Sequence, residues 1–349
     1  MSRPSLGREA RQIKRPTPSS RYIPLMRGLA TPVMRALAVV FGVVTLTFVL
    51  LHLAPGDPVQ RLLGPSATPA QLAAATRAAG LDRALGVQYL DWLGNAARGN
   101  FGSSIVDGRP VAGILAGAWP ATALLVVLSI SASWLLGIAV GAWQATTRRR
   151  TVDAALSAIT VALTATPGYW LGSVLVLVFT YQLGVLPAFG ASGLDADYLA
   201  TWPRLIDRLE HLALPLLTLT LIGLGGIARF VRGSLLDLRD AEFLAVARAK
   251  GISRTRVLLR HQLRNALVPL ITLLGLSLPA LFSGTVFVET IFAWPGVGQV
   301  LVHAVQARDY PVVMAAATVS SVLVVTGNVM ADALLRFADP RTGASHGVA

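Results

Sequence analysis

The sequence predicts an all-α polytopic membrane protein with six transmembrane helices and both termini cytoplasmic. Three observations carry this. The first is composition: of 349 residues 54% are hydrophobic and only 13% charged, about half the usual charged share of roughly 25% for soluble domains. The second is a set of six uncharged runs at 36–56, 110–147, 154–194, 211–228, 265–288 and 310–331, against the roughly 20 apolar residues that one helix needs to cross a bilayer. The third is the placement of Lys and Arg. With the N-terminus inside, the inside segments 1–35, 148–153, 229–264 and 332–349 hold 22 basic and 7 acidic residues, and the outside segments 8 and 10. The balance is +15 inside and −2 outside, the sense that the positive-inside rule requires. The net charge of +13 is therefore topology, not a nucleic-acid footprint, which would need a basic face on a soluble fold.

Each element follows in order. Residues 1–32 carry Arg3, Arg8, Arg11, Lys14, Arg15, Arg21 and Arg27 with prolines and serines and read as a disordered basic tail near anionic headgroups. No short apolar core with a small-residue cleavage pattern follows, so the first helix, about 33–53, is read as uncleaved. Ala54-Pro55-Gly56-Asp57-Pro58 stops it. An extracytoplasmic stretch follows, with short amphipathic helices around Gln71–Ala75 and Val87–Leu93 and a loop over Gly99–Ser104. Helix two is expected after Trp119-Pro120. It carries Gly137 and Gly141, a small-xxx-small pair that lets helices approach closely, and Arg148-Arg149-Arg150 closes it inside. The runs 110–147 and 154–194 are each read as one crossing plus an interfacial extension. Pro167-Gly168 kinks or breaks helix three, as a packing kink or as part of a translocation path. Helix four spans about 211–232. Helices five and six flank an outside segment, Glu289–Pro311.

The inside segment between helices four and five is strongly basic and cannot cross a bilayer, where each Arg or Lys costs about 2.5–3.5 kcal/mol at the centre. Two short helices with a turn are expected there over about 236–264. Gly251 is the left-handed C-cap of the first and Ser253 the N-cap of the second. Phe243, Val246 and Ala247 share a face by their i, i+3, i+4 spacing, flanked by Arg248 and Lys250. Small residues on such an exposed pair suit docking into a partner's groove.

The run Ala245-Val246-Ala247-Arg248-Ala249-Lys250-Gly251, then Arg264-Asn265-Ala266 and Pro269, resembles the cytoplasmic coupling loop of binding-protein-dependent ABC importer permeases of the dipeptide/oligopeptide/nickel type, first of the two permease subunits. The family motif begins Glu-Ala-Ala with Gly six residues after the Glu; here Ala245 and Val246 replace the first two and Gly251 keeps its place. Pro55-Gly56-Asp57-Pro58, Gly80-Leu81-Asp82, Gln88-Tyr89, Trp92, Phe101–Ser104 and Pro110-Val111 are similar to its N-terminal region. Ala84 stands where the family tends to have Pro, and Asn100 where it often has Asp. Glu289–Phe292, Trp294–Gly298, Arg308–Val312, Asp332 and Asp339-Pro340-Arg341 resemble the family's last third.

The resemblance implies the type I ABC importer permease fold: a first helix with extracytoplasmic segment (33–117), a permease core (118–336) and a cytoplasmic tail (337–349). It implies a permease subunit, for di- or oligopeptides or for nickel or another small solute, in the cytoplasmic (inner) membrane of a prokaryote. Its partners would be a homologous second permease in a heterodimer, two cytoplasmic ATPases, an extracytoplasmic substrate-binding protein and membrane lipids, with no nucleic acid and no cofactor. Phe243, Ala245, Ala247, Arg248, Lys250 and Gly251 are the expected ATPase-docking residues. Trp294, Pro295, Gly296, Arg308, Asp309 and Tyr310 are expected at an external gate or binding-protein contact, or equally as anchors that hold the loop at the interface, and Pro167 and Gly168 at a kink in the path.

The residues exclude other classes by themselves. With two lysines, Lys14 and Lys250, neither behind a glycine-rich phosphate loop, the chain has no ATPase motif. With no Cys it has no thiolate metal site or thiol nucleophile, and its five histidines form no H-E-x-x-H pair. Glu210-His211 reads as an interfacial anchor. A secondary carrier, the rival membrane function, is disfavoured because no span carries a formal charge near its middle.

Overall fold

The computed structural model describes residues 22–56, 58–266, 270 and 284–338. The tail 1–21, Asp57, most of the fifth expected span with Pro269, and the ending from Asp339-Pro340-Arg341 through the tail lie outside the described residues, as do the side chains of Arg248 and Asp332. Among the described residues there is no strand, only an isolated bridge between Ser103 and Pro110.

The first helix, α1 (Tyr22–Leu53), begins before the expected Val33, so residues 22–32 extend the helix instead of the tail. A group of short helices follows: α2 (Pro58–Leu63), α3 (Pro69–Ala78) and α4 (Leu85–Ala96). Thr68 and Gln71 close a capping box at the start of α3. Next come α5 (Val111–Thr146), α6 (Arg150–Ala165), α7 (Gly168–Val176) with a π-turn over Leu177–Gln182, and α8 (Thr201–Asp237). The last group is α9 (Glu242–Ala249), α10 (Arg254–Val257) with a π-turn over Leu258–Gln262, α11 (284–291), α12 (Val297–Ala307) and α13 (Tyr310–Ala338). Among the described residues four helices are long and apolar enough to cross a membrane: Met34–Leu53, Val111–Thr146, Thr201–Asp237 and Tyr310–Met330. The pair α6 and α7 is long and apolar enough only when taken together, and it is bent by 107° at its break, the form of a broken span or of a re-entrant loop. The residues expected to make a sixth are the ones largely outside the description.

Helix α5 starts at Val111, ahead of Trp119-Pro120, and Pro120 lies inside it. Packing overrides the lost backbone bond: Val111, Leu115 and Ala118 are buried against α12 and α13. At 1.5 Å per residue its 36 residues extend about 54 Å, well beyond a hydrocarbon core of about 30 Å. One crossing with extensions is thus what the long run 110–147 becomes. Helix α8 likewise starts before the expected 211 and holds Pro215 in its buried face.

The most extensive helix contact joins α5 to α8. Small residues set it: a Cβ added at Gly137 would lie 2.8 Å from Ile227 Cβ, and one at Gly141 only 2.4 Å from the Ala228 carbonyl oxygen. The pairings advance together along both helices, so the two run parallel. On its other side α8 meets α6, where a Cβ at Gly225 would stand 2.7 Å from the Thr160 carbonyl. Helix α1 lies along α13 and keeps Met34, Leu37 and Phe41 exposed, as a lipid-facing surface does. The break between α6 and α7 falls at Thr166-Pro167, both extended, because a residue before proline is driven out of the helical region.

Candidate functional site

Two sites follow from the sequence reading, one at each end of the bundle. At one end α8 runs past Leu238 into a turn and then α9. Gly251 ends α9 with φ of +75°. The Ile252 N–H reaches back to the Ala247 carbonyl at 3.3 Å, the six-to-one bond of a glycine-terminated helix. Leu244, Ala247 and Val257 form a small buried cluster with Ala241 and Ile252 packed on it, and this holds α9 to α10.

That cluster sorts the expected docking residues. Phe243 and Val246 are 41% and 54% exposed, and Ala245, Lys250 and Gly251 are exposed beside them. Ala247 is only 5% exposed and faces inward, so it does not belong to the outer surface. The reason is that two stripes overlap on α9. Phe243 and Val246 point away from α10, while Leu244 and Ala247 point into it.

The pair is joined to the bundle at both ends. Beyond α10, Ala266 and Leu270 are buried with Ile227, Val231 and Leu235 of α8, and Leu258 and Leu263 pack alongside. Close to the same level Arg232 of α8 holds Asp153 of α6 in a two-pronged pair, Nε to Oδ1 at 2.8 Å and Nη2 to Oδ2 at 2.7 Å.

The opposite end is built around Glu289, which the sequence places only at the edge of an apolar run. Glu289 is fully buried. Its Oε1 accepts from Thr122 Oγ1 at 2.7 Å. Its Oε2 accepts from the Gly298 and Gln299 N–H groups at 2.6 and 3.2 Å. Thr122 Oγ1 in turn accepts from Val297 N–H at 2.9 Å. The carboxylate thus caps the first turn of α12, where unpaired N–H groups and the helix dipole favour negative charge. Gly296 must be glycine-sized, since a Cβ there would meet the Glu289 carboxyl at 2.3 Å.

Most of the residues expected at an outer gate are engaged internally. Trp294 is buried and donates Nε1–H to the Ala121 carbonyl at 3.0 Å. Arg308, at φ +60°, gives its guanidinium to the Pro55 carbonyl and, at 2.8 Å, to that of Gly56. Asp309 is buried and accepts from Ser104 Oγ and from Ile105 N–H, the latter at 3.1 Å. Tyr310 is half-buried and Pro295 exposed. These side chains therefore hold the loop to its own chain. Thr122 and Ser104 were not legible as partners, because they are 167 and 205 residues away from the carboxylates they bind. A lone acidic residue at the end of an apolar run was the available signal for Glu289.

Gly168 lies against α8, where an added Cβ would be 2.9 Å from Ile222 Cδ1; Pro167 is exposed. His211 is buried with Nδ1 2.8 Å from the Asp207 carbonyl. Among the described residues no cluster of His, Asp or Glu is arranged to hold a metal ion.

Comparison with known proteins places this geometry. The model of the binding-protein-dependent transport system inner membrane component matches residues 137–344, and the model of that component's N-terminal domain matches 25–126. The chain is 37% identical over 309 residues to the oligopeptide transport system permease protein AppB of Bacillus subtilis, covering 88% of this chain and 96% of that one. It is 37% identical over 315 residues to the di/tripeptide permease DppB of Pseudomonas aeruginosa, covering 86% and 94%. It is 36% identical over 300 residues to the glutathione permease GsiC of Escherichia coli, covering 86% and 93%. A solved inward-facing MetNI methionine ABC transporter shares the fold, with a TM-score of 0.52 at 19% identity over 65% of this chain and 96% of that one. The chain belongs to the binding-protein-dependent transport system inner membrane component family.

Proposed function

We propose that the chain is the permease subunit of an ATP-driven, binding-protein-dependent importer that passes di- or oligopeptides across the cytoplasmic membrane of a prokaryote. Six spans with both termini inside, a homologous second permease, two cytoplasmic ATPases and an extracytoplasmic binding protein complete this reading. The chain itself is not an enzyme; ATP hydrolysis belongs to the partners. The observation that carries it is an exposed apolar face, Phe243 and Val246, on a helix pair anchored at both ends to the bundle. The names of the relatives point to peptides.

On this reading the outer face of α9, with Phe243, Ala245, Val246, Lys250 and Gly251, seats in a groove of an ATPase. Closure of the ATPases around ATP displaces the helix pair. The apolar cluster of Ile227, Val231, Leu235, Ala266 and Leu270 passes the displacement to α8. Helix α6 follows α8 through Arg232–Asp153 and the Gly225–Thr160 contact, and the break at Thr166-Pro167 lets α6 tilt relative to α7.

The test is purification of the tagged chain from its own membranes in mild detergent, with mass spectrometry of what accompanies it. A second permease and ATPases are expected. A chain that comes out alone, yet transports in vesicles without ATP, would replace this reading with a secondary carrier.

A further inference from the structure

A cavity of about 210 Å³ lies between the extracytoplasmic ends of α1 and α13 and the helix α4. Its wall is aromatic and apolar, with Phe48, His52, Trp92, Tyr310 and Met314. The rings are mutually packed: Phe48 and His52 have centroids 4.1 Å apart, and His52 and Tyr310 5.3 Å. Gln88 ties the wall to the rim, donating to the Arg83 carbonyl at 2.8 Å and the Leu81 carbonyl at 3.2 Å. At the rim stand opposite charges, Arg83 and Asp91, paired at 2.9 Å with both side chains more than half exposed. Beneath the wall the Trp92 indole N–H is buried without an acceptor, a state that costs free energy until something supplies one.

Taken together the cavity is an apolar pocket with a few convergent polar groups, the usual form of a small-molecule site. It is flanked by two membrane-spanning helices at the level where they leave the bilayer, on the topology proposed above. We propose that it holds one phospholipid of the outer leaflet with a zwitterionic ammonium–phosphate headgroup. The start of an acyl chain lies on Phe48 and Met314, and a glycerol ester or phosphate oxygen accepts from the Trp92 N–H after a small rotation of the ring. The phosphate takes guanidinium donors of Arg83, which has five and gives one to Asp91. The ammonium lies against the Asp91 carboxylate. The opposite charges of Arg83 and Asp91 select a zwitterion over an anionic lipid.

The test uses the full chain with its co-purified partners, reconstituted in phosphatidylglycerol vesicles that carry a trace of phosphatidylethanolamine with a diazirine beside the acyl ester. After irradiation, labelled peptides are mapped. Label is expected in the segments around 48–52, 88–92 and 310–314, displaced by excess phosphatidylethanolamine and not by phosphatidylglycerol. Arg83→Gln and Asp91→Asn, surface changes that leave folding intact, should each lower it by about three- to ten-fold, the range for charge-assisted contacts at a half-exposed rim. Trp92→Phe, which removes the N–H together with the five-membered ring, should lower it too, while Trp202→Phe, the same change at an exposed site away from the pocket, should not. Label spread along the exposed face of α1 and unaffected by these changes would mean annular lipid only and overturn the proposal. So would displacement by a tripeptide instead of by lipid, which would assign the pocket to a zwitterionic peptide. Loss of the partners on purification would bear on the importer reading and leave this lipid result standing.

Discussion

Gly251 offers the cleanest separation of backbone geometry from contact at the proposed docking element. Its φ is +75°, and a Cβ built there meets nothing within 4 Å. A substitution therefore acts through the backbone alone. A β-branched residue held in this left-handed region costs on the order of 1–3 kcal/mol, whereas Asn tolerates it. The α9–α10 pair is held by three buried side chains, Leu244, Ala247 and Val257, so it sits at the low end of local stability. A strain of about 2 kcal/mol would multiply the opened population by about 30. Gly251→Val should speed amide exchange over residues 242–262 by that order. It should also uncouple ATP hydrolysis from uptake in proteoliposomes containing the partner subunits, with insertion unchanged. Gly251→Asn should stay near wild type in both. Normal uptake by the Val variant would refute the docking assignment, and an Asn variant as impaired as the Val one would refute the backbone argument.

Three further outcomes are expected. Asp153→Asn should lower the thermal midpoint in detergent by the loss of about 1 kcal/mol, typical of a half-screened pair, and the swap of Asp153→Arg with Arg232→Asp should restore most of it; a swap no better than the single changes would show that the pair is incidental. Gly141→Ala, with its Cβ 2.4 Å from the Ala228 carbonyl oxygen, should destabilise by about 1–3 kcal/mol, while Gly226→Ala, which meets nothing within 4 Å, should be neutral or slightly stabilising; equal midpoints would contradict the tight α5–α8 seam. Glu289→Gln should loosen the start of α12 by about 1–3 kcal/mol, since an amide cannot accept from Thr122 on one side and from two backbone N–H groups on the other; unchanged amide exchange over 297–307 would count against the cap.

What the sequence disclosed was local. Apolar runs located the four long apolar helices, Pro167-Gly168 located the break between α6 and α7, and Gly251 located the turn after α9, because each is a property of a few adjacent residues. The spacing of Gly137 and Gly141 announced a close helix contact, though not that α8 was the partner. What failed needed a second element. On the short α9 the stripes 243/246 and 244/247 are equally regular, and only the position of Val257 on α10 decides that Ala247 turns inward. Trp294, Arg308 and Asp309 read equally well as outward contacts or inward anchors. The carbonyls and hydroxyls that claim them lie on α5 and in the loops after α1 and α4, beyond the reach of any local pattern.

The distribution of polar bonds bears on where force can travel. At the end built around Glu289, that residue, Asp309 and Arg308 each bridge segments far apart in sequence, and Asp207 takes the Gly193 N–H on both oxygens at 3.0 Å. Such bonds are directional and short-ranged, so this end resists small displacements. At the opposite end α9 and α10 meet through an apolar cluster, which tolerates sliding because dispersion contacts have no preferred direction. Between them α8 is one continuous helix of 37 residues, about 55 Å long. On the proposed coupling, a displacement of the helix pair enters α8 at its compliant end and is resisted at its pinned end, which makes tilt the available response. The bend at Thr166-Pro167 is then where α6, fastened to α8 by Arg232, can part from α7. Cutting the Asp153–Arg232 pair should then weaken coupling more than it weakens folding, whereas a loss of uptake that merely tracks the thermal midpoint would show that the pair is structural and no part of the transmission.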